Sequence, residues 1–410
     1  MTLIGEETVF FKSDDPLGVF AYTPMLCRGL HGRVLANYEI SGPRIAAVPG
    51  PRSVHGDYPD GNQCRIFVSD DNGHSWRRTA QIGIRHSRLF KAGESLYLIG
   101  HDDVLQIHRS RDNGETWSGP AILDETYKYH QSGCTVDCHG GRIALVMEIR
   151  HREEFPCVSQ ILMTADENAD LADPANWKFS EPANFQEMIP ERSLIGLPYY
   201  PIGSLAPGER DIRYSGAAGV LETNVVRIYD PDSELYDPRP ESVLLLMRLN
   251  TNMTNLGAMA RGVQGEDGKL RIETVKTPAG GERFFVPLPG GHMKFQVIYD
   301  GSSKLYWLIS TQSTDSVTRY DRLPDDRFNL ACNERRRLQL CFSSNCIDWC
   351  FAGMVAVGPC EKGSRHYASL LADGDDMLIL SRSGDERASC AHNGNLITLH
   401  RVPNFRDLAY

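Results

Sequence analysis

The stretch Ser69-Asp-Asp-Asn-Gly-His-Ser-Trp76 decides the fold, because it combines the chemistry of a tight turn with an aromatic anchor. Its Asp and Asn side chains can bond back to nearby amides, and Gly73 can supply a positive φ, so the segment predicts a turn between two strands. The Trp76 indole is expected to pack this turn against its own sheet. A strand-like run, Arg65–Val68, comes just before the turn.

The same pattern, S-x-D-x-G-x-x-W, returns at Ser110–Trp117 after the strand-like run Val104–Ile107. Two degenerate copies follow, one at Thr164–Asp166, which reaches Trp177 through an insertion, and one at Ser343–Trp349. One four-stranded sheet cannot bury both of its faces alone. Hairpins repeated at intervals of tens of residues therefore predict stacked antiparallel blades.

These turns resemble the Asp-box, and the chain resembles the sialidases (neuraminidases) and other Asp-box (BNR-repeat) propellers. The resemblance implies an all-β fold, a six-bladed β-propeller of antiparallel four-stranded blades. Gly and Pro are spread along the chain with no linker-like concentration, so we expect residues 1–410 to form a single domain. Asp-box propellers include pure receptors, so the repeats predict an architecture without an activity.

Charge and composition exclude several classes of partner. The 410 residues carry a formal net charge of −10 and no long basic run, so nucleic acid is not an expected partner. The sequence contains no run of about 18 apolar residues, so we expect no membrane span. A few converging arginines can still bind a small anion inside one pocket.

Three features of the sequence bear on metal binding, cofactors and cellular compartment. They are the cysteines, the histidines and the N-terminus. The eleven scattered cysteines form no paired CxxC motif, and histidines such as His101 and His130 have no recognised metal-ligand spacing, so we expect no metal and no cofactor. The N-terminus has no basic segment followed by a long apolar run, so we expect no signal peptide and a cytoplasmic protein. Export stays open if a signal was removed.

The resemblance implies a catalytic acid/base Asp on a loop about a dozen residues before the first Asp-box. Asp57 lies at that offset from Ser69, and Asp60 is the alternative. A partly buried carboxyl with a raised pKa can protonate the departing glycosidic oxygen. The surrounding residues are also turn formers in any protein, so a solvated turn is the competing interpretation.

The resemblance also implies a Glu beside a β-branched pair, followed by an apolar strand that ends in Arg. The chain offers Glu222 in Leu221-Glu-Thr-Asn-Val-Val226, then Arg248 at the end of Ser242-Val-Leu-Leu-Leu-Met-Arg248. Each residue alone is ordinary on a protein surface. Their order along the chain predicts that both face the pocket, with Glu222 as the base.

The last blades match the family in two further positions. The resemblance implies a substrate-binding Arg about a dozen residues before an Asp-box Trp, and Arg337 stands at that offset from Trp349. Strand alternation puts Arg335 on the same face, so Arg335 is the competing assignment. Tyr367 then occupies the context of the family's nucleophile, although a buried strand Tyr is the structural alternative.

The chemistry explains why these residue types belong together. The anomeric carbon of a sialic acid also bears the carboxylate, so a carboxylate nucleophile would be repelled by its own substrate. A neutral Tyr that a Glu deprotonates avoids this repulsion. Arginines bind the substrate carboxylate in a fork geometry that Lys reproduces poorly.

One position departs from the family. Sialidases begin their first blade with an arginine of the carboxylate clamp, and here the corresponding residue is Tyr22. Nearby loop arginines are the expected replacements, with Arg44 and Arg52 ahead of Arg28. The predicted substrate-binding set is therefore Arg248, Arg337, Arg44 and Arg52.

The sequence predicts a retaining, exo-α-sialidase-like glycoside hydrolase that removes a terminal acidic sugar from a glycan. One alternative is a related lyase or hydrolase that acts on a uronate-linked or other acidic sugar, which the missing arginine favours. Another is a non-catalytic glycan-binding propeller. That alternative predicts that Asp57, Glu222 and Tyr367 do not converge.

Overall fold

The computed structural model describes residues 2–56, 58–130, 135–150, 158–184, 188–189, 219–250, 255–315, 322 and 334–410. Its strands form six antiparallel sheets that are the blades of a propeller, which confirms the predicted all-β, six-bladed architecture. Short 3-10 helices lie at Leu30–Gly32, Ile45–Ala47, Pro174–Asn176 and, after the last strand, Phe405–Leu408. In this described part of the chain, no helix is long and apolar enough to cross a membrane.

The first three blades follow one another along the chain. Blade 1 contains β2 (Phe20–Arg28), β3 (Val34–Ser41), β4 (Gln63–Ser69) and β5 (Arg77–Ile82). Blade 2 contains β6 (Arg85–Ala92), β7 (Ser95–Asp102), β8 (Val104–Ser110) and β9 (Ala121–Asp124). Blade 3 contains β10 (Asp137–His139), β11 (Arg142–Arg150), β12 (Val158–Asp166) and β13 (Trp177–Phe179).

The remaining blades include the two ends of the chain. Blade 4 contains β14 (Gly219–Val226), β15 (Val243–Asn250), β16 (Leu256–Gln264) and β17 (Leu270–Glu273), and β20 (Phe285–Pro287) also pairs with β16. A small hairpin joins β18 (Val275–Lys276) to β19 (Glu282–Arg283). Blade 5 contains β21 (Gln296–Asp300), β22 (Leu305–Thr311), β23 (Arg337–Ser343) and β24 (Cys350–Val357). Blade 6 contains β25 (Arg365–Asp373), β26 (Asp376–Ser383), β27 (Leu396–Val402) and β1 (Glu6–Lys12).

The first strand of the chain completes the last blade. β1 pairs antiparallel with β27, with Glu6 opposite Arg401. The Arg365 guanidinium also forks onto the Glu7 carboxylate at 2.7 Å through both Nε and Nη2. Hydrogen bonds between the two ends of the chain therefore close the ring.

Apolar clusters lie between neighbouring blades and form the core. Ile107 of blade 2 packs with Ile143 and Leu145 of blade 3, and all three are fully buried. Trp307 of blade 5 is likewise buried, in the cluster that it shares with blade 6. Each sheet thus buries both faces, which explains apolar runs such as Leu244–Met247.

The first predicted turn has the hydrogen bonds that its sequence implies. Ser69 Oγ accepts the Gly73 amide at 2.8 Å and donates to Asp71 Oδ1 at 2.7 Å. The same carboxylate oxygen accepts the Ser75 amide at 2.8 Å. The Trp76 Nε1 donates to the Gly73 carbonyl at 3.0 Å, so the indole packs beside its own turn.

The second turn repeats the hydrogen bonds of the serine and the aspartate. Ser110 Oγ accepts the Gly114 amide at 2.8 Å, and Asp112 Oδ1 accepts the Thr116 amide at 2.9 Å. In the degenerate copy at 343–349, Ser343 Oγ accepts a backbone amide three residues further on at 2.9 Å. The serine of the turn therefore plays the same part in blades 1, 2 and 5.

Candidate active site

Four of the innermost strands share one irregularity. β2, β6, β14 and β25 each break register with their neighbour at a bulge. The bulge holds a non-glycine residue with positive φ, which is Thr23 (46°), His86 (48°), Glu222 (57°) or Tyr367 (50°). Such backbone costs about 1–3 kcal/mol at each residue, and a bulge redirects the side chain that it carries. The bulges therefore mark one end of the ring as the candidate site.

Arg248 joins the two predicted residues of the nucleophile and the base. Its Nη1 donates to Glu222 Oε2 at 3.0 Å and to Tyr367 Oη at 2.6 Å. Its Nε donates to the His292 carbonyl at 3.0 Å, which fixes the guanidinium in the protein. Arg248, Glu222 and Tyr367 are 3%, 4% and 8% exposed. The structure thus brings together these three residues, whose catalytic roles stay predictions.

Arg335, the competing assignment, contacts this cluster, and Arg337 does not. The Arg335 Cζ lies 5.0 Å from the Tyr367 ring centroid, and its Nη1 lies 2.9 Å from His366 Nδ1. Arg337 is exposed and donates to Gln312 Oε1 at 3.1 Å. Strand alternation predicts both arginines on one face, but β23 begins only at Arg337, so the two side chains point to different places.

Arg382 is the arginine that the sequence reasoning missed. Its Cζ lies 4.2 Å from the Tyr22 ring centroid and 5.4 Å from that of Tyr367. Its Nε is buried and has no hydrogen-bond acceptor among the described residues. An arginine of blade 6 therefore lies over the tyrosine that replaces the family's first arginine. The sequence carries a signal for this residue, because Arg382 follows the apolar run Met377–Leu380 much as Arg248 follows the apolar run Val243–Met247.

The two loop arginines proposed as replacements lie elsewhere. Arg44 forms an exposed fork with the Asp15 carboxylate, at 2.6 Å through Nε. Arg52 donates to the Val48 carbonyl at 3.0 Å. Arg44 is paired with Asp15 at the surface, and Arg52 is bound to the backbone of its own loop. The structure therefore brings neither arginine to Tyr367.

Asp57, the predicted acid/base, lies outside the described residues, and its role stays a prediction. Asp60, the alternative, is exposed. The neighbouring Tyr58 shows where this loop runs, because its hydroxyl accepts from Asn393 Nδ2 at 3.3 Å. Asn393 Oδ1 in turn accepts the Tyr22 hydroxyl at 2.9 Å. The loop therefore borders the tyrosine that lies under Arg382.

The electrostatics of the cluster favour a bound anion. Burial raises the pKa of the Tyr367 hydroxyl, against the opposing effect of the arginines around it, so the phenol stays protonated at neutral pH. Burial lowers the pKa of Arg382 to about 10, which still leaves the guanidinium charged. The Lys294 ammonium adds a further cation 5.8 Å from the Tyr367 ring centroid. Converging buried cations of this kind are suited to binding a carboxylate.

A histidine group lies beside the second-blade bulge. His86, His101 and His130 each offer a nitrogen, all within 4.8 Å of one another, and His86 Nδ1 lies 3.0 Å from His101 Nε2. Three neutral imidazoles suit zinc. Burial lowers the pKa of His86 and of His101, and the nearby charges of Arg85 and Arg150 lower it further. Two adjacent guanidinium charges oppose a divalent cation, so we assign no metal to this group.

Sequence comparison finds no matching protein-family profile and no matching curated protein. Solved structures do match the fold. A protein of unknown function from Dyadobacter fermentans DSM 18053 is similar with 13% identity and a TM-score of 0.56, over 97% of this chain and 98% of that one. The intramolecular trans-sialidase from Ruminococcus gnavus, in complex with oseltamivir carboxylate, is similar with 11% identity and a TM-score of 0.53, over 98% of each chain.

Trypanosoma rangeli sialidase is similar with 12% identity and a TM-score of 0.54, over 100% of this chain. The match covers 61% of that sialidase, so this chain spans about three fifths of its length. Identities this low establish the fold alone. The fold of this chain is a six-bladed propeller that is similar to the folds of these sialidases.

Proposed function

We propose that this protein is a retaining exo-glycosidase of the α-sialidase type, which removes a terminal acidic sugar from a glycan. The observation that carries the proposal is the contact of one guanidinium, that of Arg248, with both Glu222 Oε2 and Tyr367 Oη. Two more buried arginines, Arg335 and Arg382, lie against the same tyrosine ring. The sialidases among the structures of similar fold support the same conclusion.

In the proposed mechanism, the three arginines bind the carboxylate on the anomeric carbon. Their guanidinium groups supply paired donors to its two oxygens. The sugar is thereby oriented with its anomeric carbon above the Tyr367 hydroxyl. Orientation of this kind converts the attack into a unimolecular step.

The chemistry then proceeds in two displacements. Glu222 takes the Tyr367 proton, and the phenolate oxygen bonds to the anomeric carbon as the bond to the leaving oxygen breaks. Asp57 gives its proton to that leaving oxygen. In the second displacement, Asp57 takes a proton from water, whose oxygen bonds to the anomeric carbon. Tyr367 leaves and recovers its proton from Glu222, so two inversions give net retention.

The raised pKa of Tyr367 explains why a base must stand next to it. A buried phenol is a weak nucleophile while protonated. Glu222 shares the Arg248 guanidinium with the hydroxyl, so the guanidinium can stabilise the negative charge on either oxygen during the transfer. This arrangement activates the tyrosine only when the three side chains lie together.

Arg382 weakens the case for a different acidic sugar. That alternative rested on the missing first arginine at Tyr22. A third guanidinium over the Tyr22 ring supplies the missing charge from blade 6. The convergence of Glu222 with Tyr367 likewise argues against a glycan-binding propeller without activity.

The test compares aryl α-sialosides with aryl glycosides of other ulosonic and uronic acids, under identical conditions. We expect release from the α-sialosides, with the α-anomer of the sugar appearing first in a proton NMR time course. First release of the β-anomer contradicts retention. Preference for a uronide contradicts the sialidase type, and failure to cleave any of these substrates contradicts the proposed function.

A further inference from the structure

A cavity of about 480 Å³ lies at blades 2 and 3, and a loop of blade 1 that includes Val54 and Tyr58 also lines it. We call it the blade 2–3 pocket, and its polar lining includes Tyr58, Arg85, Asp103, Lys128, His130 and Arg150. The proposed mechanism uses none of these residues.

Among the described residues that line the blade 2–3 pocket, cations outnumber acids, in a chain of formal charge −10. Arg85, Lys128 and Arg150 contribute three cations to its lining. Asp103 is the one acidic residue among the described residues that line it, and its Oδ2 lies 3.5 Å from His55 Nε2. Clustered cations inside a concave site focus the field and favour a bound anion.

Strand pairing fixes the positions of these cations. Tyr129 forms an antiparallel bridge with Ile149, and the Arg150 amide donates to the Lys128 carbonyl at 2.9 Å. Tyr129 and Ile149 are buried in the core between the two blades, at 3% and 2% exposure. Lys128 and Arg150, one residue along on each side, are exposed at the pocket, while Arg85 is held in its wall at 7% exposure.

Hydrogen bonds connect the pocket wall to the Tyr367 cluster. The Tyr58 hydroxyl accepts from Asn393 Nδ2 at 3.3 Å, and Asn393 Oδ1 accepts the Tyr22 hydroxyl at 2.9 Å. The Tyr22 ring lies under Arg382, which also faces the Tyr367 ring. The pocket and the cluster are therefore adjacent.

The blade-2 bulge places both sites at the same end of the ring. Arg85, which lines the pocket, immediately precedes His86, the positive-φ residue of that bulge. His86 is the blade-2 counterpart of Tyr367. A glycan bound over Tyr367 can thus extend into the pocket.

We propose that the blade 2–3 pocket binds a second anionic group of the substrate, so that the preferred substrate is a dianionic glycan. This inference rests on the proposed function, because the first anion is the carboxylate bound by Arg248, Arg335 and Arg382. The second anion is an oxyanion, either a sulfate ester on the terminal sugar or the carboxylate of the next acidic sugar. Both offer the oxygen geometry that guanidinium groups bind.

Isothermal titration calorimetry on the Tyr367→Phe protein tests this without turnover. The ligands are the α-methyl glycoside of N-acetylneuraminic acid, a sulfated form of it, and the methyl glycoside of an α2,8-linked disialic acid. We expect at least one dianionic ligand to bind roughly tenfold more tightly than the monoanion, as charge-assisted hydrogen bonds imply. The ligand that gains affinity identifies the source of the second anion.

Arg150→Gln, added to the same protein, is expected to reduce this affinity ratio to near one. Lys128→Gln provides an independent second variant. Because both positions are exposed, neither substitution should disturb the fold, and circular dichroism checks this. Arg271→Gln is the control, because Arg271 forms its fork with Asp267 on the outside of blade 4. An unchanged ratio in Arg150→Gln and Lys128→Gln overturns the proposal.

Inorganic sulfate separates failure of this inference from failure of the proposed function. If sulfate binds in an Arg150-dependent manner and no sialoside binds, the pocket is supported and the proposed function fails. If the monoanionic sialoside binds and neither second anion gives any advantage, the proposed function stands and the pocket assignment is overturned.

Discussion

The Tyr367 hydroxyl is the single group on which the proposed chemistry depends. Tyr367→Phe removes one oxygen and the hydrogen bond from Arg248, so we expect hydrolysis of an aryl α-sialoside to fall by roughly a thousandfold or more. Far-UV circular dichroism should stay unchanged. Tyr299→Phe is the matched control, since Tyr299 stacks on Tyr229 outside the cluster. Near wild-type rates in Tyr367→Phe would show that another group is the nucleophile.

Arg382 is expected to bind substrate in place of the arginine missing at Tyr22. Arg382→Gln removes a charge-assisted contact to the carboxylate, so KM for an aryl α-sialoside should rise by roughly tenfold to a hundredfold. Arg44→Ala is the control, because Arg44 forms its ion pair with Asp15 at the surface. Equal effects of the two substitutions on KM would refute the assignment of Arg382.

Local context was enough to predict some of these residues and not others. Glu222, Arg248 and Tyr367 each stand in a short pattern of strand residues, so their neighbours in sequence identified them. Arg382 contacts Tyr22 from a different blade, and no local pattern reports a contact that depends on closure of the ring. Arg335 was open as an alternative because alternation depends on where β23 begins.

At the scale of strands, a buried carboxylate of one blade accepts hydrogen bonds from the bulge of the next blade along the chain. Glu148 Oε1 on β11 accepts the amide and the hydroxyl of Thr223, at 3.0 and 2.9 Å, directly after the bulge residue Glu222. Glu39 Oε1 on β3 accepts the amide of Ser87 in the same way, at 2.7 Å. Both carboxyls are almost wholly buried.

This burial gives stability a defined pH dependence. Burial raises the pKa of Glu148 from 4.5 to about 7. The folded state then keeps a proton that the unfolded state has lost, so the free energy of unfolding falls as pH rises from about 4.5 through about 7. The side chain introduced by Glu148→Gln cannot titrate. The fall in the free energy of unfolding over this pH range should therefore be smaller in the variant than in the wild type, by on the order of 3 kcal/mol. Urea unfolding at pH 5 and pH 8 measures the difference, and parallel declines in both proteins would contradict it.

The repeated turns make a separate prediction about stability. Ser69 Oγ bonds to Gly73 and Asp71 and is buried, so Ser69→Ala should lower the free energy of unfolding by about 1–2 kcal/mol. Ser75→Ala is the control, because its exposed hydroxyl bonds only to the Asp71 carboxylate. Chemical denaturation measures both. If Ser75→Ala costs as much as Ser69→Ala, the buried hydroxyl does not hold the turn.

Turns were predictable from sequence because each one is specified within eight residues by Ser, Asp, Gly and Trp. The bulges were not predictable in this way. A bulge exists only relative to the register of the neighbouring strand, and the residues that carry the four described here, Thr23, His86, Glu222 and Tyr367, have no chemistry in common. What they share is their position in the blade.

At the scale of the whole molecule, closure of the ring supports the site. β1 pairs with β27, and Glu7 on β1 forms its fork with Arg365, two residues before Tyr367. Deleting residues 2–12 should therefore lower the midpoint of thermal unfolding and abolish hydrolysis together. Glu7→Gln keeps the strand and weakens only the fork, so it should lower the midpoint less. A truncated protein that unfolds at the wild-type temperature would contradict a structural role for closure.

The six-bladed architecture was predictable because repeated hairpins and the family resemblance agree on it. The blade 2–3 pocket was not. Its cations, Arg85, Lys128 and Arg150, are far apart in sequence and meet only when two blades stand side by side. Single-sequence patterns describe what lies within a blade better than what lies between blades.

Covalent trapping tests the central claim, that Tyr367 is the nucleophile of an acidic-sugar glycosidase. A 2,3-difluorosialic acid would form a slowly hydrolysed glycosyl-enzyme if the mechanism is correct. Fluoride leaves C2 as Tyr367 bonds to that carbon, and the fluorine that remains at C3 destabilises the positively charged transition state of release. Intact-mass spectrometry followed by peptide mapping should then find one adduct, on Tyr367, that is absent in Tyr367→Phe and unaffected in Tyr299→Phe. An adduct on another residue, or none from an enzyme that hydrolyses α-sialosides, would contradict the account.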